Sequence, residues 1–125
     1  MPVFNADHTD VDDMVALMGR FYDESPHSLM PINADKATET AAALVAWSER
    51  EPSGCLNLIA CKGSTYEPIG LCLAARTPDL WSDTLIVRDL AIYVIPEERG
   101  SYLVGVMLKL FHQWTEAAPG VVRIE

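Results

Sequence analysis

The sequence predicts one α/β domain over residues 1–125, with strands and helices in the order β-α-α-β-β-β-α-β. Two segments in the first half have apolar residues at helical spacing. Three consecutive strand-like segments follow, and the third runs through a glycine-containing turn into another helix-like segment. A chain of 125 residues can form one hydrophobic core but not two, so we expect a single domain.

The chain begins with a short strand and an amphipathic helix. Residues 2–5 are predicted to form an edge strand. Thr9 or Asp10 is then predicted to cap a helix, because both side chains can accept a hydrogen bond from a free N–H of the first turn. Apolar residues recur at helical spacing from Val11, and Ser25-Pro26-His27 is predicted to end the helix.

A second helix and a hairpin follow. Asn33 or Asp35 is predicted to cap the helix, and Glu-Pro-Ser-Gly at residues 51–54 ends it. Segments 55–62 and 69–76 are apolar and strand-like, and the linker between them is rich in turn formers. We therefore predict two antiparallel strands joined as a hairpin.

The last third of the chain is predicted to form a strand over residues 84–95, a helix over 101–118 that ends before Pro119-Gly120, and a final strand, VVRIE. The segment VIPEERGSYLVG, residues 94–105, joins the long strand to the helix. A strand that turns at a glycine into a helix presents unpaired N–H groups at the positive end of the helix dipole. Such a turn favours an anion, typically a phosphate.

Composition limits the classes of function. Half of the residues are hydrophobic and 22% are charged, while the net charge of −9 opposes binding to nucleic acid. An acidic surface either favours a cationic partner or only keeps the protein in solution.

The chain has no apolar run of membrane-spanning length and no signal peptide at its N-terminus, so we expect a cytoplasmic protein. Cys55, Cys61 and Cys72 match no zinc spacing and are expected to be reduced core thiols.

The sequence LAIYVIPEERG, Leu90 to Gly100, resembles the strand-and-turn signature LxVxPExRG of the GNAT N-acetyltransferase superfamily. FHQW at residues 111–114, followed by two alanines, resembles the end of the family's cofactor-binding helix. The resemblance covers nearly the whole chain and is greatest to short GNAT proteins of phages and bacteria. It implies a three-layer fold in which helices flank a mixed, mostly antiparallel, twisted sheet, with a C-terminal part that is short or truncated at Glu125.

The resemblance also implies acetyl transfer from acetyl-CoA to an amine, without a metal. The residues whose N–H groups would bind the pyrophosphate are Arg99, Gly100, Ser101, Tyr102, Leu103 and Val104. Main-chain groups of Ile92 and Val94 would pair with the pantetheine arm, and the Ile92 amide would polarise the thioester carbonyl. Tyr93 alternates with these two residues and is expected in the core.

Asp89 is the carboxylate within the apolar strand, and burial would raise its pKa and make it a candidate general base. An ion pair with Arg88 or Arg76 is the alternative, and both stay open. Tyr102 and Val104 occupy positions where the family has small residues. The alternative function is therefore a GNAT-like domain that binds CoA or a protein, or inhibits one, without catalysis.

Partners follow from the same resemblance. They are acetyl-CoA and an amine acceptor, and the acceptor class stays open among small amines, aminoglycosides, peptide N-termini and lysines. We predict neither a nucleic acid nor a membrane partner. The strand VVRIE would leave an edge that can pair with a second copy in a homodimer.

Overall fold

The structure is a computed structural model that describes residues 2–24, 31–117 and 121–124, and it confirms the predicted order of elements. The strands are β1 (Val3–Asn5), β2 (Cys55–Cys61), β3 (Pro68–Pro78), β4 (Leu85–Val94) and β5 (Val121–Ile124). The helices are α1 (Val11–Glu24), α2 (Ala34–Arg50) and α3 (Tyr102–Ala117). Short 3-10 helices precede α1 (His8–Asp10) and α3 (Pro96–Glu98). The helix ends predicted at residues 25–27 and 119–120 lie outside the described residues.

The five strands form one sheet in chain order. The first four are antiparallel to their neighbours, and β5 is parallel to β4. Tyr93 of β4 stacks on Phe21 of α1, with ring centroids 5.6 Å apart. Arg76 of β3 points to the opposite face of the sheet and contacts Trp114 of α3. Helices α1 and α2 therefore cover one face and α3 the other, which confirms the predicted three layers and mixed sheet.

Polar side chains fix the starts of the first two helices. The Asp7 carboxylate accepts a hydrogen bond from the Thr9 N–H at 2.8 Å, and the Asp10 carboxylate accepts one from the Asp7 N–H at 2.9 Å. The prediction of a cap at Thr9 or Asp10 is wrong, because this capping box starts a 3-10 turn ahead of α1. At α2, Asn33 is the cap and accepts from the Lys36 N–H at 3.0 Å, which confirms one of the two predicted caps.

Strands β2 and β3 form the buried centre of the sheet. Every residue of β2 is buried, and so is β3 from Ile69 to Arg76. Cys55, Cys61 and Cys72 are free and buried, which confirms the predicted core thiols. Burial raises the pKa of Cys72 to about 12, so this thiol stays protonated at neutral pH. The described part of the chain contains no group of three or more His, Cys, Asp or Glu side chains able to hold a metal ion, and none of its helices is long and apolar enough to cross a membrane.

Arg76 is buried and secures the C-terminal end of α3. Its guanidinium donates to the carbonyls of Ser53 and Trp114, and it lies 4.0 Å from the centre of the Trp114 ring. The Trp114 indole N–H donates to the Pro52 carbonyl at 2.9 Å. Because Trp114 lies in the last turn of α3, Arg76 satisfies a carbonyl at the negative end of that helix. The Arg76 guanidinium therefore binds carbonyl oxygens, and Arg76 does not form the ion pair with Asp89 that the sequence left open.

Gly70 in β3 is required by close packing against β4. A Cβ atom at this position would lie 3.0 Å from the Tyr93 carbonyl oxygen and 3.2 Å from Val94 Cγ2. We expect Gly70→Ala to lower the free energy of unfolding by about 1–2 kcal/mol, because strand separation must increase. Gly63→Ala is the matched control, since no atom lies within 4 Å of the added Cβ, and it should change stability by less than about 0.5 kcal/mol. Equal urea midpoints for the two variants would contradict this account of Gly70.

Candidate functional site

One edge of β4 is open over its second half. The Ile95 N–H donates to the Ile69 carbonyl at 2.8 Å, so the backbone groups of Ile92 and Val94, at the alternate positions, point away from β3. On that other side, β5 pairs with β4 no further than Val87. From residue 88 to residue 94, no described strand pairs with this edge. An extended ligand can therefore pair with it as an added strand.

A β-bulge lies at the start of the open edge. Leu73 of β3 is opposite Ala91 and the next residue, Ala74, is opposite Asp89, so Leu90 is an extra residue in β4. A bulge of this kind bends its strand and increases the local twist. It follows the part of β4 that pairs with β5, which ends at Val87. The bulge could not be predicted from the sequence, because Leu90 lies within an ordinary apolar run without glycine or proline.

The turn between β4 and α3 leaves two backbone donors free. Four of the six amides over residues 99–104 donate to acceptors within the turn, namely those of Arg99, Ser101, Leu103 and Val104. Among the described residues, the N–H groups of Gly100 and Tyr102 have no acceptor. Both lie at the N-terminal end of α3, where the helix dipole is positive and an anion is favoured.

Gly100 has open space around it. A Cβ atom built at this position meets no atom within 4 Å, and φ lies outside the left-handed region. Neither packing nor backbone conformation in the free protein therefore requires a glycine there. The Tyr102 side chain is 73% exposed and Val104 is half-buried. Gly100 itself is exposed, so its backbone is accessible beside the two residues that occupy the positions of small residues in the GNAT signature.

Arg99 points away from this turn and joins a polar network with α1. Its Nη2 donates to Glu24 Oε1 at 3.0 Å, and its Nε donates to the Val94 carbonyl at 3.0 Å. The Tyr93 hydroxyl donates to the other oxygen of Glu24, and the Arg99 guanidinium lies 5.8 Å from the Tyr93 ring centre. Tyr93 is buried, as the sequence predicted. Through this network, Arg99 attaches the turn to α1 and holds it in position.

Two further ion pairs hold the same turn. Arg20 of α1 lies 3.2 Å from Glu97, and Lys62, just after β2, lies 2.9 Å from Glu98. The hydrogen bond with Glu98 raises the pKa of Lys62. Each exposed pair contributes little alone, because water and salt screen the two charges. Together with Arg99, they attach three consecutive residues of the turn to α1 and to the end of β2.

The Tyr93 hydroxyl gives the network a measurable pH dependence. Burial, followed by the hydrogen bond that the hydroxyl donates to the Glu24 carboxylate, raises the pKa of Tyr93 to about 12 from an ordinary value of 10.0. Between these two values the unfolded chain loses a proton that the folded chain keeps, so the free energy of unfolding falls as pH rises. We expect Tyr93→Phe to be less stable than the wild type by about 1–2 kcal/mol near neutral pH. The difference should shrink at about pH 11 in urea unfolding, and a constant difference would contradict the assignment.

Asp89 is exposed, so the burial that would make this carboxylate a candidate general base is not observed. Asp89 is opposite Ala74 and shares its face of the sheet, whereas Leu73 points to the face covered by α1 and α2. Arg88, on the other face of β4 from Asp89, donates its Nε–H to the Thr77 hydroxyl at 3.1 Å.

Comparison with known proteins identifies the fold. No protein-family model and no curated protein sequence matches the chain. The solved structures that match include integron cassette protein HFX_CASS3 from the mobile metagenome of Cole Harbour salt marsh, with a TM-score of 0.78 and 23% identity over 98% of this chain and 74% of that chain. Glucosamine-6-phosphate N-acetyltransferase from Arabidopsis thaliana has a TM-score of 0.72 and 7% identity over 98% and 78% of the two chains. AAC(6')-Iy, solved in complex with the bisubstrate analogue CoA-S-monomethyl-acetylneamine, has a TM-score of 0.71 and 13% identity over 98% and 76% of the two chains. The chain therefore has the fold of the GNAT acetyltransferases.

Proposed function

We propose that the protein transfers an acetyl group from acetyl-CoA to an amine. The observation that carries the proposal is the free pair of N–H groups at Gly100 and Tyr102, located where the open edge of β4 meets the positive end of α3. The pyrophosphate of CoA is the anion that these donors would bind. The open space at Gly100 would let phosphate oxygens approach the backbone closely.

The pantetheine arm would extend along the edge of β4. Ile92 and Val94 both direct backbone groups to this side, although the Val94 carbonyl already accepts from Arg99. Four of the six amides that the sequence assigned to phosphate already have acceptors. The proposed phosphate donors are therefore Gly100 and Tyr102, while Arg99 holds the turn in place.

The Ile92 amide would stabilise the oxyanion that develops when the amine attacks the thioester carbonyl. A C–N bond forms and the C–S bond breaks, and CoA leaves as its thiolate, which takes up a proton. An ammonium acceptor must first lose one proton to water, which the open edge admits, and the nitrogen loses a second proton after the C–N bond has formed, which balances the proton that the thiolate takes up. The free-base form of the amine is the reactive one.

Asp89 is not needed in this scheme as a base. Its side chain is exposed on one face of the sheet, whereas Leu73 and the cavity between α1 and α2 are on the other face. We expect Asp89→Asn to keep turnover within about threefold of the wild type, far from the roughly 10²-fold loss caused by removing a general base. A loss of that larger size in steady-state assays, with acetyl-CoA affinity unchanged, would return the role of base to Asp89.

One observation favours a binding domain without catalysis as the second candidate function. No Asp, Glu or His is among the described residues that line the cavity between α1 and α2, so those residues offer no carboxylate or imidazole to take the amine proton. The test is an assay of thiol release from acetyl-CoA with a panel of primary amines. Release that depends on the amine supports acetyl transfer. Binding of acetyl-CoA without release by any amine supports the second candidate.

A further inference from the structure

An apolar cavity of about 390 Å³ lies between α1 and α2 above the sheet. Its walls are mainly aliphatic side chains and methionines, including Met14, Met18, Ala37 and Leu44. Its volume falls in the range of pockets that bind small molecules, about 300–1,000 Å³. None of the described side chains fills this space, so it is not part of the packed core.

The floor of this cavity connects it to the proposed reaction centre. Leu73 of β3 lines the cavity and is opposite Ala91 in β4, the residue immediately before Ile92. Opposite residues in such a pair are about 5.5 Å apart at Cα, and neighbouring residues about 3.8 Å. The floor therefore lies within about 10 Å of the Ile92 amide. The bulge at Leu90 lies next to Ala91 on β4.

The charge of the lining indicates the class of occupant. Lys36 is the charged residue among the described lining residues, which contain no carboxylate. A polyamine or an aminoglycoside has several ammonium groups that would need carboxylate partners, and Lys36 would repel them. An apolar body would instead gain from burial against the aliphatic walls.

We infer that this cavity binds the acceptor, and that the acceptor is a primary amine carried on an apolar chain or ring, with one amino group. The inference rests on the proposed function for the acetyl-transfer reaction, whereas the class of acceptor is inferred from the residues that line the cavity. The apolar body occupies the space between α1 and α2, and the amino group reaches past Leu73 towards Ile92. The strongly acidic chain, with a net charge of −9, still attracts the single ammonium group from solution.

The test compares an apolar amine with polar amines in two measurements. In the thiol-release assay, 2-phenylethylamine should have a kcat/KM at least about tenfold higher than glucosamine or an aminoglycoside. In ligand-observed NMR without acetyl-CoA, 2-phenylethylamine should bind directly. A preference for the polar amines in either measurement, or no binding of 2-phenylethylamine at all, would overturn the inference.

Matched variants locate the site. Ala37→Phe places a ring in the cavity and should lower the affinity for 2-phenylethylamine at least about tenfold, whereas Ala43→Phe, exposed on the same helix and outside the cavity, should not. Acetyl-CoA affinity should be the same in both variants. Equal binding of the amine by both overturns the inference. If the wild type does not bind acetyl-CoA, the proposed function is contradicted instead, so the two failures are distinguishable.

Discussion

Ile92→Pro is expected to lower the rate of acetyl transfer by about 10²–10³-fold, the loss that follows removal of one oxyanion donor. Proline has no N–H, and the Ile92 amide points away from β3, so the substitution removes no hydrogen bond of the β3–β4 ladder. The Ile92 side chain is 37% exposed, so little packing is lost. Acetyl-CoA affinity should fall no more than about fivefold, because one ground-state hydrogen bond is lost.

The control for this variant is Ile92→Val, which keeps the amide and should turn over within about threefold of the wild type. Both variants should show a cooperative thermal transition, measured by circular dichroism. A folded proline variant with the turnover of the valine variant would show that the Ile92 amide has no part in catalysis.

Gly100→Val is expected to weaken acetyl-CoA binding by about 10–100-fold, because the side chain would displace phosphate from the backbone donors at Gly100 and Tyr102. The free protein should tolerate valine, since the added Cβ meets no atom within 4 Å and the backbone is not left-handed. Gly63→Val, in an exposed turn with equally open space, is the matched control. Calorimetric titration of both variants with acetyl-CoA measures the difference. Equal affinities would place the pyrophosphate elsewhere.

Local patterns in the sequence account for most of the fold that could be predicted. Helical spacing and capping residues are properties of short segments, so the order of elements and the cap at Asn33 follow directly from the sequence. The turn from β4 into α3 is also continuous in the chain. Of the six residues that the resemblance assigned to phosphate, Gly100 and Tyr102 have free N–H groups, and phosphate binding itself stays a prediction.

Long-range contacts account for what the sequence did not predict. Glu24 lies 69 residues from Tyr93 and 75 from Arg99, and no local pattern joins them. The apolar residues around Asp89 indicated burial, whereas its side chain is exposed. Burial depends on what packs on each face of the sheet, which the strand's own residues do not specify. The bulge at Leu90 depends on the register with β3, which the residues of β4 alone do not specify. The cavity above Leu73 likewise depends on how α1 and α2 pack together.

The most direct test of acetyl-CoA binding is a calorimetric titration of the wild-type protein with acetyl-CoA, repeated with desulfo-CoA and with free adenosine diphosphate. We expect saturable binding of acetyl-CoA in the range of about 1 µM to 1 mM, where enzymes usually bind their substrates. Adenosine diphosphate should compete, because the pyrophosphate binds at the start of α3. A thermal shift that rises with acetyl-CoA concentration should accompany the heat. No heat and no shift at millimolar acetyl-CoA would contradict the account, whatever the fold.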